Sequence, residues 1–251
     1  MKIGFIISMY DEIDIVTNTI NTLKTNNLPI IVIQSDPQQS KKLLDSHLVN
    51  FYEKLPDLAG SKEEYLKERD VGSPLTATKA IIRNLKAGFT VTSNYDVDWW
   101  ITILGDVYIS NMSDIEKIIK KIISKNKSMG IIRAVGQVFL DNTNQFTRIQ
   151  KNDTTDFMPQ FFITHSSLIK KGLFSKFELT NPYTTEQCIG DEVNSFCVEN
   201  KINFKDLVYI ISDYAYPQFI SGLEYNPDRI IMPRYIDGLV NLLRRFKMRF
   251  Y

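Results

Sequence analysis

The sequence predicts an α/β domain on a mixed, mostly parallel central sheet flanked by helices, followed by a basic C-terminal helix. Three observations carry this. Short apolar runs without polar alternation, such as residues 2–10 and Trp99–Leu104, suit strands covered on both faces. Between such runs lie stretches whose apolar residues recur at helical spacing, with turn residues at the joins. The 251 residues are 43% hydrophobic and 24% charged, which supplies an ample core for one large or two small globular domains. No repeat, low-complexity linker or sharp composition change divides the chain. Residues 1–216 therefore read as one domain and 217–251 as a terminal appendage.

The elements follow in order. After the first strand, Ile13, Val16, Ile20 and Leu23 mark a helix that Asn26, Asn27 and Pro29 stop. Residues 30–33 form a second buried strand, ending in the turn residues Ser35, Asp36 and Pro37. A strand, helix and strand within about 35 residues is the ordinary size of a right-handed crossover. Residues 36–46 read as a short helix, 49–52 as a weak third strand, and 56–73 as a charged excursion with little to offer a core. From 76 to 89 a helix turns Ala77, Ala80, Ile81, Leu85 and Phe89 inward and Lys79, Arg83 and Asn84 outward. The strand Trp99–Leu104 then runs directly into Gly105 and Asp106, and an acid after a central strand sits where open α/β sheets bind ligands.

Residues 115–123 make an amphipathic helix with Lys117, Lys120 and Lys121 exposed, and 130–135, 160–164 and 207–211 read as further strands. A helix over 191–200 opens with Asp191 and Glu192, favourable against its macrodipole. Residues 235–251 form the basic helix, where Arg244, Arg245, Lys247 and Arg249 accompany an apolar stripe of Leu239, Leu242, Leu243, Phe246 and Phe250. It suits either contact with an anionic membrane surface or docking on the domain.

Several functions are excluded. A net charge of +1 gives no global attraction for nucleic acid. Cys188, Cys197, His47 and His165 lack zinc-ligand spacing. No apolar run approaches the ~18 to 20 residues needed to span a bilayer, and acids follow the first strand where a signal peptide would have a cleavage site, so a cytoplasmic protein is expected. The phosphate-loop, dinucleotide-loop, serine-hydrolase and zincin motifs are all absent. What remains is a set of acids at strand ends: Asp11 and Glu12, Asp36, Asp106, and the pair Asp191 and Glu192.

In this order the features resemble the GT-A glycosyltransferases of the family 2 type, over roughly residues 2–216. The resemblance implies that Tyr10, Glu12 and Asp36 hold the nucleoside of a nucleotide-sugar donor such as a UDP-sugar. TKAIIRNLKAGF, which carries Arg83, then Asp98-Trp99, the strand and Leu104-Gly105-Asp106 look like the family's helix, Asp-Trp pair and Asp-x-Asp element. Gly190-Asp191-Glu192-Val193 looks like the family's Glu-Asp pair beneath the acceptor, and His165 falls where acceptor or donor contacts are often found. A lone histidine beside a strand also suits a structural role.

The chemistry needs these residue types. Charge grows on the departing diphosphate, so a divalent cation or a cationic clamp must stabilise it. Asp106 is the natural anchor for Mn²⁺ or Mg²⁺, and Asp191 or Glu192 the carboxylate that accepts the proton of the acceptor hydroxyl, with inversion at the anomeric carbon. Leu104 stands at the first Asp of the metal motif; without a metal, Lys79, Arg83 or Arg234 would neutralise the phosphates. Asp96-Val97-Asp98 spells the motif but precedes the strand and reads as a turn. The implied acceptor is a glycan or lipid-linked sugar in surface polysaccharide synthesis. Two alternatives stand beside this reading: a nucleotidyltransferase of sugar phosphates, and a degenerate transferase domain that binds a glycan without turnover.

Overall fold

A computed structural model describes residues 1–10, 12–24, 28–36, 43–56, 75–109, 112–133, 138–140, 146–148, 157–177, 185–212 and 223–225. Strand β1 (Ile3–Met9) is buried along its whole length, as an apolar run without alternation requires. It pairs in parallel with β2 (Ile30–Asp36) on one side and with β4 (Trp99–Leu104) on the other. Beyond β2 lies β3 (Phe51–Pro56), also parallel. Strand β9 (Phe157–His165) runs antiparallel between β4 and β6 (Met129–Arg133), and β10 (Val208–Ser212) pairs in parallel with β6. The seven-stranded order is β10-β6-β9-β4-β1-β2-β3. The sheet is thus mixed and mostly parallel, as the sequence predicts.

Alternation along the strands divides the core. Phe5, Ile7, Ile101 and Ile103 face one layer with α1 (Ile13–Lys24) and α3 (Met112–Ser124), which bury Val16, Ile20 and Leu23, and Ile115, Ile119 and Ile122. Ile6, Ile31, Trp100 and Phe162 face the other layer with α2 (Leu75–Val91) and α5 (Thr185–Glu199), through Ile82, Leu85 and Phe89, and Ile189, Val193 and Phe196. The path β1-α1-β2 steps one way along the sheet, whereas the path from β3 through α2 returns past β1 to β4 on its far side. Strand order therefore reverses between β1 and β4, and the carboxyl ends of those strands open a crevice there.

Several expectations need correction. Helix α5 begins at Thr185, so Asp191 and Glu192 lie in its middle and do not open it. The apolar side chains of Ile189, Val193 and Phe196 give it a buried stripe that reaches back before the acids. Strand β3 lies later than residues 49–52. Of the helix expected over 36–46, residues 43–45 are irregular and Ser46–Leu48 form a 3-10 turn capped by Asp45, while 37–42 lie outside the described residues. Four three-residue strands, β5 (Val107–Ile109), β7 (Val138–Leu140), β8 (Phe146–Arg148) and β11 (Leu223–Tyr225), are too short to carry a periodic signal; β11 pairs with β5 and β7 with β8. Short α4 (Ser166–Lys170) and α6 (Phe204–Leu207) complete the order. The basic helix expected over 235–251 lies outside the described residues. No helix among the described residues is long and apolar enough to cross a membrane.

Candidate functional site

Glu12 ends the loop after β1. Its carbonyl accepts the Val16 N–H at 3.0 Å, the first helical bond of α1, and its carboxylate Oε2 turns back to accept the Tyr10 N–H at 2.8 Å. From β4, the Gly105 N–H donates to the Ser8 carbonyl at 2.8 Å, which draws the turn after β4 against the loop after β1. A Cβ on Gly105 would lie 2.6 Å from Glu12 Oε2 and 2.9 Å from Met9 Cβ, so only glycine permits this approach. Half-buried Asp106 is the next residue. The fold thus gathers Glu12 and Asp106 at the reversal of strand order.

One strand over, the end of β2 carries buried polar residues. Arg83 Nη2, from α2, donates to Ser35 Oγ at 3.1 Å, and the Ser35 hydroxyl donates to Asn84 Oδ1 at 3.1 Å. Gln34 Nε2 donates to the Tyr10 carbonyl at 2.9 Å, while the Tyr52 hydroxyl of β3 donates to Gln34 Oε1 at 2.7 Å. Asp36 closes β2 opposite Pro56; its side chain lies outside the described residues. Two strand spacings, about 10 Å, separate the end of β2 from that of β4, a span that suits a nucleoside diphosphate.

Of the other expected residues, Glu192 and His165 lie toward the opposite rim of the sheet. Asp191 is exposed in mid-helix. Glu192 Oε1 accepts the Phe174 N–H at 3.1 Å, and the Phe174 ring stacks on Phe89 at 4.3 Å, near the end of α2 remote from the crevice. Phe174 has φ +66°, so this carboxylate braces a left-handed turn, and its burial raises the carboxyl above its ordinary pKa. His165 pairs with Trp99 across the sheet, at the amino end of β4 and about 20 Å from Asp106. Its Nδ1 accepts the Ser167 N–H at 3.2 Å and caps α4, its ring meets Trp99 edge-on at 4.8 Å, and burial holds the imidazole below its ordinary pKa. Lys79 is exposed, and Leu104 is buried opposite Ser8. Arg234 lies outside the described residues.

At this second rim an open groove of about 600 Å³ is lined by Asp98, Trp99, Ile123, Lys127, His165 and Ser167 among others. Its polar groups serve local structure: Asp98 Oδ2 accepts the Lys2 N–H at 2.7 Å, and Lys127 Nζ lies 4.0 Å from Asp206. Burial pushes the Cys188 thiol up to about 11, which leaves it un-ionised near neutrality. No group of three or more metal-ligating side chains occurs among the described residues.

Sequence reasoning did not single out Gln34 or Tyr52, read Ser35 as a turn residue beside Asp36, and turned Asn84 outward, whereas Asn84 is buried and bonded to Ser35. A signal existed for two of them, since Gln34 and Ser35 interrupt an apolar strand at its carboxyl end. Tyr52 carried none.

No protein-family model matches the sequence, and no curated protein matches it. Among solved structures, the chain is similar to a Bacillus anthracis protein described as a glucose-1-phosphate thymidylyltransferase in complex with a sucrose, at 12% identity and TM-score 0.48, over 99% of this chain and 97% of that one. It is similar to CMP:2-keto-3-deoxy-manno-octonic acid synthetase complexed with CTP, at 11% identity and TM-score 0.44, over 98% and 99% of the two chains. It is also similar to mouse xyloside xylosyltransferase 1, at 10% identity and TM-score 0.41, over 84% and 85%.

Proposed function

We propose that the protein is a glycosyltransferase that moves a sugar from a nucleotide-sugar donor to a glycan or glycolipid acceptor, and that the donor lies over the carboxyl ends of β1, β2 and β4. The observation that carries this reading is the meeting of Glu12, Gly105 and Asp106 at the reversal of strand order. Open α/β sheets bind ligands at that point. Tyr10 and Asp36 serve the nucleoside, as the family resemblance implies.

Asp106, with Glu12 beside its turn, fits a Mg²⁺ or Mn²⁺ ion, because such an ion takes one or two carboxylates and leaves its other positions to phosphate oxygens and water. When bound, it stabilises charge on the departing diphosphate. Arg83 adds a guanidinium at the end of β2, oriented by its bond to Ser35 Oγ at 3.1 Å. The proton of the acceptor hydroxyl needs a carboxylate facing the anomeric carbon. Glu192 is engaged by Phe174 and Asp191 stands in mid-helix, so the proposal rests on the donor half of the site.

The acidic loop after β1 disfavours the nucleotidyltransferase reading, because that chemistry wants a basic, Gly-rich phosphate loop there. The test is incubation with nucleotide-sugars, with and without Mn²⁺, and separately with nucleoside triphosphates plus sugar phosphates. Release of a nucleotide from the sugar donor, lost in Asp106→Ala, is the expected result. Pyrophosphate from the triphosphates would support nucleotidyl transfer, and no turnover under either condition would leave a binding domain.

A further inference from the structure

A line of hydrogen bonds runs sideways across the rim. The Tyr52 hydroxyl on β3 donates to Gln34 Oε1 at 2.7 Å, Gln34 Nε2 donates to the Tyr10 carbonyl at 2.9 Å, and the Tyr10 N–H donates to Glu12 Oε2 at 2.8 Å. Glu12 Oε2 in turn lies against Gly105. Gln34 is wholly buried and follows the four apolar residues 30–33 of β2. An aliphatic side chain would pack there without the cost of desolvating an amide. Its partners fix which way the amide points, since a backbone carbonyl can only accept and therefore takes the NH₂ end.

We propose that Gln34 is a positioning residue, which holds the loop carrying Tyr10 and Glu12 where that loop meets the nucleoside diphosphate, with Tyr52 as the strut that sets the amide's orientation. The proposal rests on the donor-site reading above and extends it, because it assigns placement of the binding loop to β2 and β3 as well as to the loop's own residues. Buried neutral hydrogen bonds add little net stability but are strongly directional, so their loss loosens the loop more than the sheet.

Two variants test this. Gln34→Met keeps the length of the side chain and removes both of its bonds; Tyr52→Phe removes only the strut, at a half-buried position where the ring still packs. Each is titrated calorimetrically with UDP, GDP, CMP and dTDP beside the wild type, and amide hydrogen exchange is followed without ligand. Nucleotide binding should weaken about tenfold in Gln34→Met and about threefold in Tyr52→Phe. Exchange should accelerate at the Tyr10 and Glu12 amides while Ile6 and Ile7 of β1 keep their protection. That confinement separates positioning from a packing defect. Unchanged affinity in both variants, or exchange that rises equally along β1 and β2, overturns the proposal. A wild-type protein that binds no nucleotide overturns the donor reading and the ligand half of this one; the exchange pattern then decides whether Gln34 holds the loop.

Discussion

At the carboxyl rim of β1 and β4, Glu12 and the turn of Gly105 and Asp106 crowd together, to the point that a single added methyl group would strike Glu12 Oε2 at 2.6 Å. At the amino rim of β4 the same sheet leaves an open groove of about 600 Å³, yet His165 and Asp98 there are engaged with the Ser167 and Lys2 N–H groups. The open groove and the paired acids therefore sit at opposite ends of one strand. The contrast teaches that an open groove whose polar groups are engaged locally offers less chemistry than a crowded rim of acids. What marks the carboxyl rim is two acids of neighbouring strand ends, Glu12 and Asp106, at a reversal of strand order, with the buried amide of Gln34 bonded to the loop that carries Glu12.

The strongest way to break the contrast is Asp106→Ala, which should lower kcat/KM for sugar transfer by about 100-fold or more while urea unfolding shifts by less than about 1 kcal/mol. Gly105→Ala sharpens it. The new Cβ cannot enter without moving Glu12 or Met9, so a destabilisation of about 1 to 3 kcal/mol is expected, with weaker nucleotide binding by titration. His165→Ala tests the opposite rim: loss of the α4 cap should cost about 1 kcal/mol, His165→Asn should restore most of it, and transfer should stay within about twofold of wild type. A large loss of transfer in His165→Ala would erase the distinction between the rims.

The smallest effect concerns Glu192. Burial raises its carboxyl in the fold, so the folded chain holds that proton more tightly than the unfolded chain between the ordinary and the raised pKa. The stability from this protonation is present below the ordinary Glu value and is lost as pH rises through the raised one. Glu192→Gln keeps an acceptor for the Phe174 N–H and removes that loss. Urea denaturation across the window should therefore favour the variant increasingly as pH rises, by at most about 1 kcal/mol because the group is only half-buried. If Glu192 were the catalytic base, the same variant would instead abolish transfer.

Much of the fold was legible because burial writes itself into the chain. Trp99–Leu104 is apolar at every position and is the strand expected, and Val16, Ile20 and Leu23 face the core as their spacing predicts. The onset of α5 was missed because two adjacent acids look like a helix start, whereas its buried residues already include Thr185, Cys188 and Ile189. At the candidate site, Asp106 and Glu12 were legible as acids after strands, and Gly105 stood visibly between strand and acid. The sideways support from Tyr52 and Gln34 was not, since it depends on β3 lying beside β2, a neighbour relation that no local pattern encodes. For the same reason His165 could be named from its surroundings in sequence while its position at the far rim could not: the antiparallel run of β9 decides that.

Whether the ligand lies at the carboxyl rim is read from a backbone amide chemical-shift titration with the nucleoside diphosphate that binds. Saturable shifts are expected at Tyr10, Glu12, Gly105 and Asp106, with Ser128, His165 and Ser167 unmoved. Saturable shifts confined to Ser128, His165 and Ser167 would contradict that placement.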